Sequence, residues 1–186
     1  FAGEERKSDI RHYVATLGKA AGWEITVVEF DTIRDKAHDL SRDELWANIA
    51  DDMRSDVYDA ALITPPCSGH TRTVFNTSPG PMPLRTKKHF WGYPWLEGAA
   101  KEKCELQNTL IRRSVEACEI AVDTNMGFLL EFPEGLGRKN GHDPASIWQL
   151  KQLRALDGKA RAKRLAFHQE DFGLSSPKPT GIFQNL

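Results

Sequence analysis

The chain has 186 residues, a formal net charge of −1, and 40% hydrophobic and 27% charged residues. These values are typical of one globular domain, and they exclude a disordered, collagen-like or disulfide-rich protein. No apolar run approaches the roughly 18 residues that span a membrane. Three cysteines without a C-x-x-C pair favour an intracellular location, nuclear in a eukaryote and cytoplasmic in a bacterium or phage. The chain begins at Phe1 without a signal-peptide pattern, and we expect it to be a fragment.

The near-zero net charge hides an uneven distribution along the chain. Residues 1–60 hold 14 acidic and 8 basic side chains, residues 61–137 hold 8 of each, and residues 138–186 hold 4 acidic and 9 basic ones. The C-terminal part is therefore the one suited to a polyanionic partner. An ordinary solvated helix face explains its basic run at 159–164 equally well.

The first third of the chain carries patterns for two helices and two strands. Apolar periodicity and β-branched runs predict, in chain order, a helix, a buried strand, a second helix and a second buried strand over residues 9–21, 24–30, 41–53 and 58–64. Gly22 is the expected end of the first helix. Ser41 and Glu44 resemble a capping box that opens the second.

Residues 65–96 interrupt this pattern with six of the ten prolines and no strong periodicity. Long loops of this kind in compact domains are usually functional or disordered. Beyond it, the patterns predict a long helix, a strand, a further helix and two weaker strands, over residues 97–123, 127–132, 144–157, 164–168 and 181–184. The long helix is amphipathic, with an inward face predicted at Leu106, Leu110, Ile111, Val115 and Cys118.

Strands that alternate with helices predict an α/β fold with a mostly parallel, doubly wound sheet. Such sheets bind ligands at the carboxyl ends of their strands. Three of the predicted strands end on polar or reactive residues, at positions 29–31, 65–67 and 131–134. Because neighbouring strand ends lie side by side, we expect the Cys67 thiol and the Glu131 carboxylate to meet in one cleft.

Taken together, the motifs resemble the catalytic core of the DNA cytosine-5 methyltransferases, in particular divergent phage-like and mobile-element members. The matching segments, in the family's order, are Phe1-Ala2-Gly3, Glu29-Phe30-Asp31, His38-Asp39-Leu40, Thr64-Pro65-Pro66-Cys67-Ser68, Glu131-Phe132-Pro133 and Lys178-Pro179-Thr180. The resemblance covers essentially the whole chain. The order and spacing of several motifs is far more specific than any one of them.

The resemblance implies a Rossmann-like methyltransferase fold, the cofactor S-adenosylmethionine and a DNA substrate. Cys67 would be the nucleophile that adds to carbon 6 of a flipped cytosine, Glu131 would hold the base, and Arg72 would contact the base or its phosphate. The implied cofactor contacts are Phe1, Ala2, Gly3, Glu29, Phe30, Asp31, Asp39 and Pro65. The implied nucleic-acid contacts are Ser68, Arg85, Lys178 and Thr180.

Other functions stay open on the same residues. The core motifs serve an RNA cytosine-5 methyltransferase equally well. A degenerate nucleic-acid-binding module is favoured by two acids after Gly3, where the family has a second glycine, and by the missing target-recognition region. A cysteine hydrolase would pair Cys67 with His70. We further expect a monomer, no membrane association and no metal ion, because the histidines lack zinc-ligand spacing; Cys104 and Cys118 are expected to be packing residues.

Overall fold

A computed structural model describes residues 9–75, 82–175 and 177–186, and the chain divides into two compact units after Trp46. In the first unit, helix α1 (Ile10–Ala20) begins where the Asp9 carboxylate accepts a hydrogen bond from the backbone N–H of His12. It ends before Gly22, whose φ of +79° is a conformation that glycine adopts without strain. The helix predicted over 9–21 is confirmed.

The segment 24–30, predicted as a buried strand, forms no strand in the first unit. Its apolar side chains are largely in solvent, with Val28 55% and Ile25 36% exposed. β-branched residues favour a strand when a neighbouring strand pairs with the backbone and packs against the side chains. Since residues 9–46 contain no strand to pair with, the local preference has nothing to stabilise it. The prediction of a buried strand here is wrong.

Eight helices and strands in all are described by the structure besides short 3-10 turns. After α1, they are α2 (Asp43–Arg54), β1 (Ala60–Ile63), α3 (Gly98–Thr124), β2 (Gly127–Pro133), α4 (Lys151–Leu156), β3 (Lys163–His168) and β4 (Pro179–Gln184). The helices and strands predicted between residues 41 and 132, and the two weaker strands, are thereby confirmed within a few residues. The helix predicted over 144–157 is shorter, because extended backbone at Leu150 separates a 3-10 turn (Ile147–Gln149) from α4.

The four strands of the second unit form one sheet in the order β1-β2-β4-β3. The pair β1 and β2 is parallel, with α3 in the crossover between them, whereas β4 runs antiparallel to both β2 and β3. The expected α/β class is therefore confirmed at the level of a mixed sheet, and the expected mostly parallel sheet is not what these strands form. The physical reason is the short link between β3 and β4, which returns the chain antiparallel without the dozen residues of a crossover.

The core of the second unit lies between this sheet and α3. Phe128, Leu130 and Phe132 alternate along β2 on the face that is fully buried. On α3, four of the five predicted inward residues are buried, namely Leu110, Ile111, Val115 and Cys118. Leu106 is 48% exposed, so its prediction is wrong. Its polar neighbours Gln107 and Asn108 are buried instead, because they bind the side chain of Arg85.

Candidate functional site

Three charged or nucleophilic side chains converge at one edge of the sheet. Cys67 follows the carboxyl end of β1, Glu131 lies near the carboxyl end of the parallel strand β2, and Lys178 immediately precedes β4. The antiparallel register pairs Pro133 with Thr180, which brings the start of β4 beside the end of β2. As a result, the Lys178 ammonium lies 3.9 Å from Oε1 of Glu131.

The pKa values of this group reflect its partial burial. Burial raises the pKa of the Cys67 thiol, the negative charge of Glu131 raises it further, and the positive charge of Lys178 opposes both. Burial likewise raises the pKa of Glu131, again opposed by Lys178. The parallel pairing of β1 and β2 places Cys67 and Glu131 at the same edge of the sheet, where the charge of Glu131 acts on the thiol. The Cys67 and Glu131 juxtaposition expected from the strand ends is therefore present, and Lys178 completes it.

One carboxylate oxygen of Glu131 is held by an ion pair without a direct hydrogen bond. Its Oε1 atom is buried and makes no hydrogen bond with any residue in the described ranges. Buried polar atoms are nearly always hydrogen-bonded in native proteins, so an unsatisfied one is a sign of a missing ligand or water. The charged partner of this oxygen is the Lys178 ammonium at 3.9 Å, which is too long for a direct hydrogen bond.

Two of the predicted contact residues, Ser68 and Arg72, lie in the loop after Cys67 and make different hydrogen bonds. Ser68 is exposed, and its hydroxyl accepts a hydrogen bond of 2.8 Å from the Gln107 side chain. Arg72 donates to the backbone carbonyl of Leu136 at 3.1 Å. This bond ties the loop after β1 to the loop after β2, and it leaves other N–H groups of the guanidinium for a ligand.

Arg85, predicted as a nucleic-acid contact, is fully buried. Its guanidinium bonds to the amide oxygens of Asn108 at 2.7 Å and Gln107 at 3.0 Å, and lies 3.0 Å from Nε2 of His70. It also donates to the carbonyls of Phe90 and Cys104. The prediction is wrong, because this side chain is the polar centre that holds the proline-rich loop on α3. The sequence signal for this buried role is the pair of amide side chains, Gln107 and Asn108, on the amphipathic helix.

Thr180 and Asp31 are buried as well. Thr180 has no exposed surface, and its hydroxyl bonds to the Lys178 carbonyl and the Gln169 side chain. Asp31, in the first unit, is 3% exposed, and its carboxylate accepts the backbone N–H of Ile33 at 2.8 Å. Both residues therefore stabilise local backbone; the predicted nucleic-acid contact of Thr180 is not compatible with its complete burial, and the cofactor contact of Asp31 stays a prediction.

The remaining cofactor residues are distributed as follows. Phe1, Ala2 and Gly3 lie outside the described residues. In the first unit, Oε2 of Glu29 pairs with Arg34 at 2.6 Å, and the ring of Phe30 meets His38 edge-on. Asp39 accepts the backbone N–H of Ser41. In the second unit, Pro65 is buried. A carboxylate beside an aromatic ring suits a ribose and an adenine, so Glu29 and Phe30 fit the expected cofactor chemically.

His70, the alternative base for Cys67, is committed elsewhere. Burial and the nearby charge of Arg85 lower the pKa of His70 to about 3. Because the Arg85 guanidinium can only donate, Nε2 of His70 must be the acceptor, and its proton resides on Nδ1. The imidazole packs between Phe90 and Phe132. It is therefore a neutral core residue, which argues against the cysteine hydrolase hypothesis.

Wider comparisons add no family assignment. Searches against protein-family models, curated proteins and solved structures found no match to this chain. Within the described part of the chain, no three His, Cys, Asp or Glu residues are grouped to hold a metal ion. None of the helices in the described ranges combines the length and the apolar character needed to cross a membrane.

Proposed function

We propose that this chain is the catalytic core of an S-adenosylmethionine-dependent DNA cytosine-5 methyltransferase. The observation that carries the proposal is the meeting of Cys67, Glu131 and Lys178 at the carboxyl edge of the parallel pair β1 and β2. A thiol, a carboxyl group and an ammonium group are suited to adding to a pyrimidine ring and holding its polar edge.

The chemistry assigned to these residues is covalent catalysis. The Cys67 thiolate forms a bond to carbon 6 of cytosine, and the electron pair of the 5,6 double bond moves toward carbon 5. Glu131 hydrogen-bonds the exocyclic amine and ring nitrogen 3, which stabilises the charge that develops in the ring. Carbon 5 then gains a methyl group, a base such as a water molecule takes its proton, and the electron pair of that C–H bond re-forms the double bond as the Cys67 thiolate leaves.

The residues proposed for the adenosine part of the cofactor lie in the first unit. Glu29 would bind the ribose hydroxyls and Phe30 the adenine ring. S-adenosylmethionine supplies the methyl group when it is bound. The base itself must leave the duplex stack to reach Cys67, so the substrate is a flipped or unpaired cytosine.

A second candidate function is a non-catalytic nucleic-acid-binding module. The raised pKa of Cys67 favours it, because a thiol with a raised pKa is mostly protonated and weakly nucleophilic at neutral pH. For the enzyme to work, bound substrate must bring a positive charge or a hydrogen-bond donor to the sulfur. Lys178 is the group already in place to favour the thiolate.

Trapping of the covalent adduct tests the proposal. The chain is incubated with labelled S-adenosylmethionine and with DNA or RNA that contains 5-fluorocytosine, which blocks proton loss and release of the thiolate. The enzyme predicts a labelled, denaturation-resistant adduct that disappears in Cys67→Ser and persists in Cys118→Ala, a matched thiol control. The nucleic acid that is trapped distinguishes the DNA from the RNA enzyme.

The outcomes separate the two candidate functions. Nucleic-acid binding without cofactor binding or adduct, measured by calorimetry and mass spectrometry, supports the non-catalytic module. An adduct that survives Cys67→Ser contradicts the assignment of the nucleophile. Glu131→Gln is expected to reduce adduct formation about 100-fold or more, as removal of a single stabilising group does in comparable sites.

A further inference from the structure

The loop between β1 and α3 carries a group of aromatic rings that the proposed chemistry does not use. His89, Tyr93 and Trp95 together form this aromatic surface. The rings of Tyr93 and Trp95 are stacked, with centroids 4.5 Å apart and planes inclined by 13°. The His89 ring contacts both of them, with centroid distances of 5.6 and 5.9 Å. The three side chains therefore make one continuous aromatic patch.

Trp95 remains largely in solvent although Tyr93 lies against one face of its ring. The residue is 62% exposed. A ring that is covered on one face and is still exposed to this extent has its other face open to solvent. Single exposed apolar side chains are ordinary, whereas grouped ones mark surfaces that bind a partner. An open face on a stacked pair is the geometry that accepts a further flat ring.

The backbone beneath the aromatic surface is fixed on α3. The carbonyl of Trp91 accepts a hydrogen bond of 2.7 Å from the Asn108 side chain. Gly92, at a φ of +120°, lies so close to the helix that a Cβ atom there would be 2.7 Å from Sγ of Cys104. The rings are thus held in place before a partner arrives, which reduces the entropy lost on binding.

The Arg85 guanidinium joins this backbone to the loop that follows Cys67. It donates to the carbonyl of Phe90 at 3.3 Å and lies 3.0 Å from Nε2 of His70. His70 is three positions after Cys67 in the chain. A partner bound to the aromatic surface is therefore held on a segment that is tied to the loop of the proposed nucleophile.

Positive charge surrounds the aromatic surface. The exposed charged residues between positions 86 and 103 are four lysines and two glutamates, namely Lys87, Lys88, Lys101, Lys103, Glu97 and Glu102. Lys87 and Lys88 directly precede His89, in a turn that the Thr86 N–H closes on the His89 carbonyl. Single-stranded nucleic acid presents flat bases and a phosphate at every step, so it matches both the rings and the excess of lysines. A neutral sugar or an apolar peptide would match the rings alone.

We propose that the aromatic surface binds a single-stranded nucleic-acid segment, with an unpaired base stacked on the open face of Trp95 and with Lys87 and Lys88 beside the phosphates. Stacking on an aromatic ring accepts any base, so this contact adds affinity without sequence preference. The binding requires no chemistry at Cys67. Only the role of the bound segment, as the strand that adjoins the target cytosine, rests on the proposed function.

The test measures binding of the full chain to labelled oligothymidylate of about ten nucleotides and to an abasic strand of equal length, by fluorescence anisotropy. We expect the strand with bases to bind more tightly. Trp95→Ala should weaken it about five- to 150-fold, the loss expected for one base stacked on an aromatic ring, and leave the abasic strand unchanged. Trp95→Phe, which keeps a smaller ring, should lose less. Trp23→Ala is the matched control, because Trp23 is 72% exposed and lies in the first unit, and it should bind like the wild type.

Charge variants test the phosphate contacts. Lys88→Met should weaken oligothymidylate and the abasic strand equally, and should lower the slope of log affinity against log salt concentration by about 0.7, the value for one phosphate contact to a single strand. Lys19→Met, an exposed lysine of the first unit, is the control and should leave the slope unchanged. Cys67→Ser should bind both strands like the wild type.

Several results would overturn the proposal. Equal affinity for oligothymidylate and the abasic strand would leave only a phosphate contact, and wild-type affinity in Trp95→Ala would place the base elsewhere. Tighter binding of a duplex than of the single strand, or no binding at about 100 µM protein, would remove the single-stranded partner. Oligothymidylate contains no cytosine and the readout is binding, so failure here is distinguishable from failure of the proposed methyltransferase function, which adduct trapping measures.

Discussion

Replacement of Arg85 by methionine separates the hydrogen bonds of this buried side chain from the volume that it fills. Methionine packs in similar space but donates to none of the acceptors around it. The amide oxygens of Asn108 and Gln107, now 2.7 and 3.0 Å from the guanidinium, lose these bonds. Each buried acceptor left unsatisfied costs about 1–3 kcal/mol.

The expected loss in the free energy of unfolding is therefore about 3 kcal/mol. Two unsatisfied amides give about 2–6 kcal/mol, and the desolvation of the guanidinium itself, which lowers the pKa of Arg85, is relieved in the variant and offsets part of that cost. Typical domains unfold with about 5–15 kcal/mol, so the change is a large fraction of the whole. Urea unfolding followed by circular dichroism and tryptophan fluorescence measures it.

Lys87→Met is the control, because Lys87 lies two residues away and is exposed. Its free energy of unfolding should stay within about 0.5 kcal/mol of the wild type. If Arg85→Met unfolds like the wild type and loses nucleic-acid binding instead, the structural role assigned to Arg85 is refuted and the surface contact suggested by its sequence is restored.

Two further predictions concern titration. Burial and Arg85 lower the pKa of His70 to about 3, below the value near 6.5 of an unfolded chain, so the unfolded state binds the extra proton between these values. The His70 contribution to the free energy of unfolding should therefore be intact above pH 6.5 and fall by up to about 1.4 kcal/mol per pH unit as pH decreases toward 3. The difference between wild type and His70→Gln in urea unfolding across this range isolates it; a constant difference would contradict the assignment. For Cys67, the charge of Glu131 raises the thiol pKa and that of Lys178 lowers it. The pH midpoint of iodoacetamide alkylation, measured by mass spectrometry of the Cys67 peptide, should move down in Glu131→Gln and up in Lys178→Met, and no movement in either variant would show that the three groups are not neighbours.

Helices and strands in the second unit were predictable because their signals are local and agree with the tertiary structure. Alternation in β2 and helical periodicity in α3 each indicate which side chains are buried. The segment 24–30 shows the limit of such signals. Its β-branched residues prefer extended backbone, but a strand also needs a partner strand. The residues of the segment do not show whether such a partner exists.

The candidate site was likewise predictable only in part from the sequence. A cysteine and a glutamate after two consecutive parallel strands could be placed together from topology, because parallel strands end at the same edge. Lys178 could be singled out as a charged residue, but its position beside Glu131 depends on the antiparallel entry of β4 next to β2.

The sequence by itself determined the α/β class, the order of helices and strands in the second unit, and the cysteine and glutamate that lie at the same sheet edge. These follow from periodicity and from chain direction, both of which are local properties. Only the tertiary structure decided the direction of β4 and the burial of Arg85, Thr180 and Asp31. It also decided which charges act on Cys67. The reason is that burial and hydrogen-bond partners arise from contacts between residues far apart in the chain, and a charged side chain has the same appearance in a sequence whether it faces solvent or a buried amide.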